Sequence, residues 1–424
     1  MSAVEAVEGA GQDGLRHSLR AFRSARFRYF WCAALVSNAG SWLSNLTVPY
    51  VLFSLTHSAF WVGLAALAQF LPSVAMAPYG GALADRHERR RVLLLTQSGL
   101  AVSAVALWAL WAGGSRSPAA IMVLVGVAGV FQGLNMPCWQ SFVNDLVPRV
   151  DLSSAVALNS LQLNAARSVG PAVAGLLLAT LGPGWAFLIN AASFVFVIAV
   201  LLGIRTPGAV TSGGSGSIVA GFVSALRYVR TQPGIGVAIA ISVLVGILGN
   251  PVFGFTVVFA GDVFHVGAAG LGLLNAALGV GSILAAPFVA SGRRGVLARN
   301  VRWTFVVFAV AMAAFATAPS AVVGGLALVV VGGCFLAVVS SANTAVQMIV
   351  ADRMRGRVIA VRIMLFTLSF PIGSLSQGWL SDRFGPRAAV LGAATVMLVV
   401  GLVLAFLRGG RVIGRLDDPH DADG

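Results

Sequence analysis

A short run of charges between two long apolar segments is the first place in this chain where side chains could do chemistry. Residues 85–91 read Asp-Arg-His-Glu-Arg-Arg-Arg. Charges at this density are too costly for hydrocarbon, so the run predicts a short polar loop between two membrane helices. Asp85 and Arg89 are four residues apart, which lets a carboxylate meet a guanidinium if the helix continues for one more turn. The preceding Gly80 and Gly81 would allow another helix to approach closely. The simpler alternative is an arginine cluster that only holds the loop in the cytoplasm.

A second polar group lies inside an apolar segment. Ser160, Asn164 and Arg167 recur at i, i+4 and i+7, which places them on one stripe of a helix. At about 1.5 Å per residue, Arg167 would lie about 20 Å from the helix end. A charge at that depth usually faces a cavity or a partner, so we expect a functional role. Alternatively, Arg167 is a structural lock bonded to backbone carbonyls and asparagines.

Composition defines the elements that must position these side chains. The chain has 424 residues, of which 58% are hydrophobic and 10% are charged, and its mean hydropathy is +0.89. These values exclude a soluble domain. A hydrocarbon core about 30 Å thick needs a helix of about 20 residues, which leaves room for about twelve helices. The predicted spans 1 to 12 are 29–52, 61–84, 92–112, 119–144, 154–181, 185–204, 234–259, 267–290, 303–317, 321–349, 358–380 and 388–407.

One low-complexity stretch divides the chain. Residues 206–217 are rich in Gly, Ser and Thr, and apolar residues at helical spacing over 218–229 predict an amphipathic helix after them. That helix either lies on the membrane surface or packs against protein, and the sequence leaves both open. The predicted organisation is a cytoplasmic N-terminal tail at 1–28, a six-helix bundle at 29–205, a cytoplasmic linker at 206–232, a second six-helix bundle at 233–408 and a cytoplasmic C-terminal tail at 409–424.

The two predicted bundles echo each other. The entry to span 5, residues 146–157, aligns with the entry to span 11, residues 349–360. Three to four turns further on, Gly170-Pro171 answers residues 371–373. Such repeats are typical of transporters built from two parallel halves. The sequence therefore predicts an all-α membrane protein of twelve helices in two pseudo-symmetric six-helix bundles.

The positions of the basic residues predict an orientation. All 28 are arginines, and 23 of them fall in the tails and in the loops after even-numbered spans. Positive charge is retained on the cytoplasmic side, so both termini are expected there, in the cytoplasmic membrane. The same scatter argues against nucleic acid as a partner, because the arginines form no patch interleaved with aromatics. Exclusive use of arginine indicates a GC-rich bacterial genome. The other five are Arg116, Arg383 and Arg387 in the opposite loops and Arg167 and Arg362 inside spans.

The sequence offers little for enzymatic chemistry. Cys32, Cys138 and Cys334 lie far apart inside apolar segments and are expected to be small buried hydrophobes, with no metal site. No Ser/His/Asp grouping, metal-spaced cluster or phosphate-binding glycine loop is evident. We therefore predict that the chain is neither an enzyme nor dependent on a cofactor.

The charged loop resembles a motif of a known family. Gly81-x-Leu83-Ala84-Asp85-Arg86-x-x-Arg89-Arg90 is similar to the loop 2–3 motif of the major facilitator superfamily, and the twelve spans with a central linker extend the resemblance over nearly the whole chain. One departure is Glu88, where the family usually has glycine. A look-alike of the short pattern, residues 378–385, falls on the predicted opposite side of the membrane.

Further motifs are similar to one branch of that superfamily, the drug and siderophore exporters that include enterobactin exporters. The resemblance implies a monomeric rocker-switch transporter in the lipid bilayer, with a central cavity between the bundles. It implies secondary active export of small amphipathic molecules (drugs, secondary metabolites or siderophores), with the proton gradient as energy source. An uncoupled facilitator and a proton-coupled importer of a small polar solute are the alternatives. The motifs are Thr56-x-Ser58, Leu71-Pro72, Gly170-Pro171 and the group Ala155, Leu158 and Asn159.

With this resemblance, the charged loop is expected to act as a latch. In the outward-open state the cytoplasmic ends of spans 2 and 11 should approach, so that Asp85 faces the start of span 11 near Arg357. Arg89 or Arg90 is expected to reach Asp145 at the end of span 4. Both contacts are predicted to break when the inside opens.

Span 5 carries a second resemblance. Gly170-Pro171-x-x-Ala174-Gly175 is similar to the antiporter motif of the superfamily, although earlier glycines are replaced by Ala157 and Ala166. Small residues there permit tight packing against a helix of the other half. Simple helix packing is the alternative to a role in antiport.

The substrate cavity is expected along spans 1, 4, 7 and 10, which line it in the superfamily. Neutral amides among aromatic rings suit an amphipathic ligand, although each amide could equally join two helices. No acidic residue falls at a membrane midplane, so proton antiport depends on the resemblance, with Asp85, Asp145 and Asp262 as the nearest carriers. The candidate cavity residues are Asn38, Ser41, Trp42, Asn45, Gln132, Asn135, Asn250, Asn343 and Gln347.

Overall fold

A computed structural model describes residues 19–204, 218–290, 297–351 and 353–406. Over these ranges the chain forms helices joined by short turns, with no strand, and the predicted all-α class is confirmed. We name each helix by the span to which it corresponds. The helices are Ala25–Thr56 (span 1), Ala59–Arg86 (2), Arg89–Ala112 (3), Pro118–Asp145 (4), Leu152–Gly203 (5 and 6), Ile218–Thr231 (the linker helix), Pro233–Leu248 with Pro251–Val258 (7), Gly267–Ala290 (8), Leu297–Thr317 (9), Ala321–Ile349 (10), Arg355–Phe384 (11) and Pro386–Phe406 (12).

Nine helical stretches in the described ranges are long and apolar enough to cross a membrane, and residues 301–317 form a shorter apolar helix. Most helices extend a few residues beyond the predicted limits, because polar caps lie outside the apolar segments. Span 1, for example, begins after Ser24, whose hydroxyl accepts a hydrogen bond from the Phe27 N–H. The full count of twelve crossings stays a prediction.

Spans 5 and 6 form one helical stretch with a single interruption. Gly182 has φ 80° and ψ 175° there, a conformation that favours glycine. Pro183 follows and has no N–H to give to the preceding turn. The predicted boundary at Gly182 is thus a sharp kink, without an intervening loop.

Span 7 was predicted as one helix, but the structure breaks it at residues 249–250. Pro251 cannot donate a backbone hydrogen bond to the Ile247 carbonyl. The amide nitrogen Nε2 of Gln377 in span 11 replaces it, at 2.9 Å from that oxygen and 3.2 Å from the Leu248 carbonyl oxygen. A side chain of a neighbouring helix therefore supports the break.

The linker helix packs against protein. Ala225 is fully buried, and Phe222, Leu226 and Val229 pack against the core of the second half. The Tyr228 hydroxyl accepts a hydrogen bond from the Ala351 N–H at 3.2 Å. Of the two open interpretations of this helix, the structure favours the second.

Spans 1–6 pack mainly on one another, and so do spans 7–12. Between the halves, span 2 packs along span 11 and the helix of spans 5 and 6 packs along span 8. The two halves approach each other closely near the loops after odd-numbered spans. A Cβ on Gly63 would lie 2.5 Å from the Ser374 backbone oxygen, and a Cβ on Gly175 would lie 2.2 Å from the Gly272 Cα. The halves are therefore closed at this end, which we call the outer end.

Candidate transport cavity and its two ends

Between the halves lies a cavity of about 1430 Å³. It extends from the outer closure to the opposite end, where Arg357 at the start of span 11 and Gln140 near the end of span 4 belong to its wall. This open end, which we call the inner end, carries the loops after even-numbered spans. By the arginine distribution, it is the end predicted to face the cytoplasm.

The structure places six of the nine predicted cavity residues in the wall. Gln69 of span 2 joins them by donating from Nε2 to Oδ1 of Asn45 at 2.9 Å. Neutral amides can both donate and accept hydrogen bonds without carrying charge. Their role in binding stays a prediction. The six are Asn38, Ser41, Trp42, Asn45, Gln132 and Asn250.

Asn135, Asn343 and Gln347 do not line the cavity, so their predicted placement is wrong. Asn135 is buried between spans 3 and 4, where its Oδ1 accepts hydrogen bonds from Thr96 at 2.9 Å and from Gln97 at 3.4 Å. It follows Gln132 by three residues, which turns it about 60° away on a helix. It acts as the joint between helices that was the stated alternative.

The two misplaced residues of span 10 have similar explanations. Span 10 contributes Phe335 and Leu336 to the wall and then leaves it. Asn343, further along, accepts a hydrogen bond from Nη1 of Arg362 at 3.0 Å, and Gln347 is exposed. Nη2 of Arg362 donates to the Val339 carbonyl at 3.0 Å. This arginine is therefore held inside the second half, away from the cavity.

Sequence reasoning missed the contribution of spans 2, 8 and 11. The predicted cavity residues all belonged to spans 1, 4, 7 and 10, so polar residues of the other spans were not included. A signal was present, because two polar residues four or seven apart in an apolar helix mark one face. The missed residues include Gln69 and Ser73 in span 2, Asn275 and Ser282 in span 8 and Thr367 in span 11.

Phenylalanines of the second half form a continuous part of the wall. Phe253 and Phe335 contact edge to face with ring centroids 5.0 Å apart, and Phe366 lies 6.4 Å from Phe335. Across the halves, Phe70 and Phe370 meet edge to face at 5.1 Å. Phenylalanines therefore predominate on the side of the second half, which also carries Asn250 and Asn275, and most of the lining amides lie in the first half.

Charge is sparse around the cavity. Among the described lining residues, Arg357 is the one charged side chain. It is exposed at the inner end, with Nη1 3.5 Å from the Ser224 hydroxyl of the linker helix. Asp262, one of the acids considered as a proton carrier, is exposed in a π-helical turn at the outer end of span 7.

At the inner end, the loop between spans 2 and 3 is shorter than predicted. Span 2 ends at Arg86 and span 3 begins at Arg89, so Asp85 and Arg89 belong to different helices. Asp85 is exposed, and its contact with Arg357 is not made in this conformation. A Cβ on Gly80 would lie 2.6 Å from the Leu134 oxygen, whereas one on Gly81 would meet nothing within 4 Å. Gly80 therefore allows close packing against span 4, inside the same half.

The arginines of this loop bind within the first half. Nη1 of Arg89 lies 2.6 Å from Oδ1 of Asp145, and Arg90 donates to the carbonyls of Leu201 at 2.7 Å and Leu202 at 2.9 Å. The Arg89–Asp145 pair is present while the inner end is open. The prediction that this contact breaks on opening is therefore wrong, because both partners lie in the same half.

At the outer end, Asp382 of span 11 binds the start of span 2. Its carboxylate accepts hydrogen bonds from the Ser58 hydroxyl, the Ala59 N–H at 2.6 Å and the Phe60 N–H at 3.2 Å. A helix start presents free N–H groups and partial positive charge, which favour a carboxylate. Just below, a Cβ on Gly378 would lie 2.6 Å from the Ala59 oxygen. The pattern described as a look-alike in the sequence therefore forms a polar contact between the halves.

The span 5 motif contributes to the same closure. Gly170 packs against Trp42 of span 1: a Cβ on Gly170 would lie 2.8 Å from the Trp42 Cβ. Pro171 lines the cavity. Gly175 meets Gly272 of span 8 in the other half, as the small residues allow. The side chains of Asn164 and Arg167 lie outside the described set.

Membrane-length helices in two packed halves, around a cavity open at one end and closed at the other, define a membrane transporter. A family model described as transmembrane secretion effector, MFS_3, matches residues 17–412. The chain therefore belongs to this family of the major facilitator superfamily. It is a multi-pass membrane protein that transports small molecules, and it is not an enzyme.

Relatives and solved structures agree with this assignment. The multidrug efflux pump Tap of Mycolicibacterium fortuitum is 27% identical over 385 residues, which cover 88% of this chain and 94% of that protein. The enterobactin exporter EntS of Escherichia coli O1:K1 is 27% identical over 391 residues, which cover 89% and 90% of the two chains. A bacterial homolog of the human lysosomal transporter Spinster, in an inward-facing and occupied conformation, shares the fold with a TM-score of 0.74 at 14% identity, over 91% of this chain and 97% of that chain.

Proposed function

We propose that this protein is a secondary active exporter that moves small amphipathic molecules out of the cell by alternating access, in exchange for protons. The observation that carries the proposal is the cavity itself, with phenylalanines mainly on the side of the second half, neutral amides mainly on the side of the first and an opening at the arginine-rich inner end. An apolar wall with a few placed polar groups suits an amphipathic ligand. With both termini cytoplasmic, this opening receives a ligand from inside the cell.

Export is also supported by the relatives. The proteins named Tap and EntS are an efflux pump and an exporter, and both align over most of this chain. The D-xylose–proton symporter shares the fold, with a TM-score of 0.70 at 14% identity. Fold alone therefore does not set the direction of transport, and a proton-coupled importer is the alternative.

One observation favours a second candidate, an uncoupled facilitator. No acidic side chain lines the cavity in the part of the chain that the structure describes. Proton-coupled transporters normally use a carboxylate or histidine within the membrane. In the antiporter, the proton would bind outside the described cavity wall, with Asp85, Asp145 and Asp262 as the candidate carriers.

The test uses inside-out vesicles with and without an imposed pH gradient, and a panel of lipophilic cations, macrolides and siderophores. An antiporter accumulates substrate only with the gradient and loses it when an uncoupler is added. A facilitator equilibrates the substrate and supports counterflow without a gradient. Uptake driven in the opposite orientation would contradict export. Vesicles without the protein are the control for passive entry.

A further inference from the structure

The cavity wall carries most of its phenylalanines in the second half and most of its amides in the first, and Arg357 is the one charged residue of the described lining. Both features restrict the ligand. We propose, resting on the proposed function, that the transported molecules are neutral or anionic amphipaths with an aromatic face, and that organic cations are excluded. The aromatic face of the ligand packs on phenylalanines of spans 7, 10 and 11. Its hydroxyl, carbonyl or amide groups face the amides of the first half.

The phenylalanine side is arranged to receive a ring. Phe253, Phe335 and Phe366 form a chain of ring contacts at 5.0 Å and 6.4 Å, and all three line the cavity. The first pair meets edge to face and the second is tilted by 41°. Aromatic rings prefer offset or edge-to-face neighbours, so this row offers ring faces and edges to an added ring. Across the halves, Phe70 and Phe370 add a further edge-to-face pair to the wall. A flat aromatic group fits this side better than a branched alkyl group.

The opposite side presents hydrogen-bonding groups without charge. Gln69 donates a hydrogen bond to Asn45, and Gln132 also lines the wall. Asn190 of span 6 also lines the cavity, with only 5% of its surface exposed. Its Oδ1 is buried and accepts no hydrogen bond from the described residues. A buried acceptor of this kind is stabilised by a donor, which a hydroxyl or amide group of a ligand supplies.

The charges around the cavity disfavour the binding of organic cations. A buried cation needs a carboxylate nearby, and none is present on the described wall. The acidic residues of the sequence lie in tails, loops and helix ends. Arg357 at the inner end repels a cation that enters and attracts a carboxylate or phenolate. Cation–π contact with phenylalanine is the remaining favourable term, and it is weak relative to loss of hydration.

The test measures binding by the full chain in lipid nanodiscs, using isothermal titration and empty nanodiscs as the blank. Four probes share the fused two-ring carbon frame of naphthalene, which is saturated in the last: 2-naphthamide, 2-naphthoate, 2-naphthyltrimethylammonium and decahydro-2-naphthamide. We expect the amide and the carboxylate to bind about tenfold or more tightly than the ammonium, and the saturated amide to bind several-fold more weakly than its aromatic counterpart. Equal or tighter binding of the ammonium overturns the proposal, as does failure of every probe to bind at millimolar concentration.

Two variants sharpen this test. Gln132→Glu adds a carboxylate to the wall, so ammonium binding should strengthen about tenfold while naphthoate binding weakens. Phe335→Leu keeps an apolar side chain but removes a ring, so the preference for the aromatic amide should fall. A thermal unfolding curve like that of the parent chain checks that each variant is folded. Unchanged probe preferences in both folded variants contradict the proposed walls.

The outcome is separable from that of the proposed function. Binding reports which molecules fit the cavity, whereas vesicle transport reports direction and coupling. An importer with this cavity would bind the same probes and fail the export assay. An exporter that binds the ammonium best would pass the export assay and overturn this inference alone.

Discussion

Spans 2 and 11 end in the same short pattern, and the two copies are in different states. Span 2 ends in Gly81-x-Leu-x-Asp85-Arg, and span 11 ends in Gly378-x-Leu-x-Asp382-Arg. At the outer end Asp382 accepts hydrogen bonds from the start of span 2, whereas Asp85 at the inner end is exposed. The copy in span 11 therefore binds the other half, and the copy in span 2 does not.

The difference follows from antiparallel helices. An aspartate in the last turn of a helix is disfavoured by the partial negative charge of its own helix end. Spans 2 and 11 run in opposite directions, so each C-terminal aspartate can face the N-terminus of the other helix. Asp382 already does so at Ala59, and Asp85 would do so at the start of span 11 when the inner end closes. Two copies of one pattern can therefore favour opposite states of one transporter.

A larger side chain at the contact between spans 2 and 11 should have the largest effect on the closure of the outer end. A Cβ on Gly63 would lie 2.5 Å from the Ser374 oxygen, so Gly63→Val pushes the outer ends apart. Overpacking costs about 1 to 3 kcal/mol, enough to shift a two-state population about fivefold or more. Spin labels at the outer ends of both spans should report a longer distance, and transport should fall. Gly392→Val is the matched control, since a Cβ there meets no atom within 4 Å. An unchanged distance in Gly63→Val would contradict the observed closure.

The next largest effect is expected for Asp382→Asn. The neutral amide keeps the shape but loses the attraction to the start of span 2, worth about 1 kcal/mol, so the outer-closed state should lose about fivefold in population. A cysteine at Ser41 in the cavity, in a chain without the native cysteines, should react faster with an impermeant thiol reagent added outside. Ser58→Ala removes one of three hydrogen bonds and should give a smaller change in the same direction. Slower labelling from outside would show that the outer end is held by other contacts.

Asp85→Asn tests the copy of the pattern in span 2. It should shift the population of the two states in the direction opposite to that of Asp382→Asn. The inner-open state should gain population, because the charge is exposed there and is used only when the inner end closes. We expect lower transport with normal expression and folding, and slower labelling of the same cysteine from outside. Combined with Asp382→Asn, the two shifts should partly cancel. Full transport by Asp85→Asn in vesicles would remove this copy from the mechanism.

The all-helical fold follows from the sequence, because apolar segments of membrane length leave the backbone few alternatives. The break in span 7 is placed by Pro251, but the hydrogen bonds that satisfy the freed carbonyls come from Gln377, a residue over a hundred positions away that no local pattern connects to Pro251. The placement of Asn135 likewise depends on helix rotation, which apolar periodicity defines only loosely on helices that are hydrophobic all round. The state of the two aspartates could not be predicted at all, since one sequence serves both conformations.

The smallest effect is expected for the Arg89–Asp145 pair, and it should separate stability from gating. The pair joins spans 3 and 4 within the first half, with side-chain exposures of 13% and 22%. In the proposed alternating access the halves move as bodies, so Asp145→Asn should leave the accessibility of the cavity cysteine unchanged. Partial exposure weakens the interaction by solvent screening, so we expect a loss of about 1 kcal/mol in unfolding free energy. Thermal unfolding in nanodiscs of the parent chain, Asp145→Asn, Arg89→Gln and the double variant completes a double-mutant cycle, which measures the coupling free energy between the two side chains. A shift in accessibility as large as that of Asp85→Asn would mean that the loop acts as one unit, and the contrast between a fixed internal pair and a switching aspartate would fail.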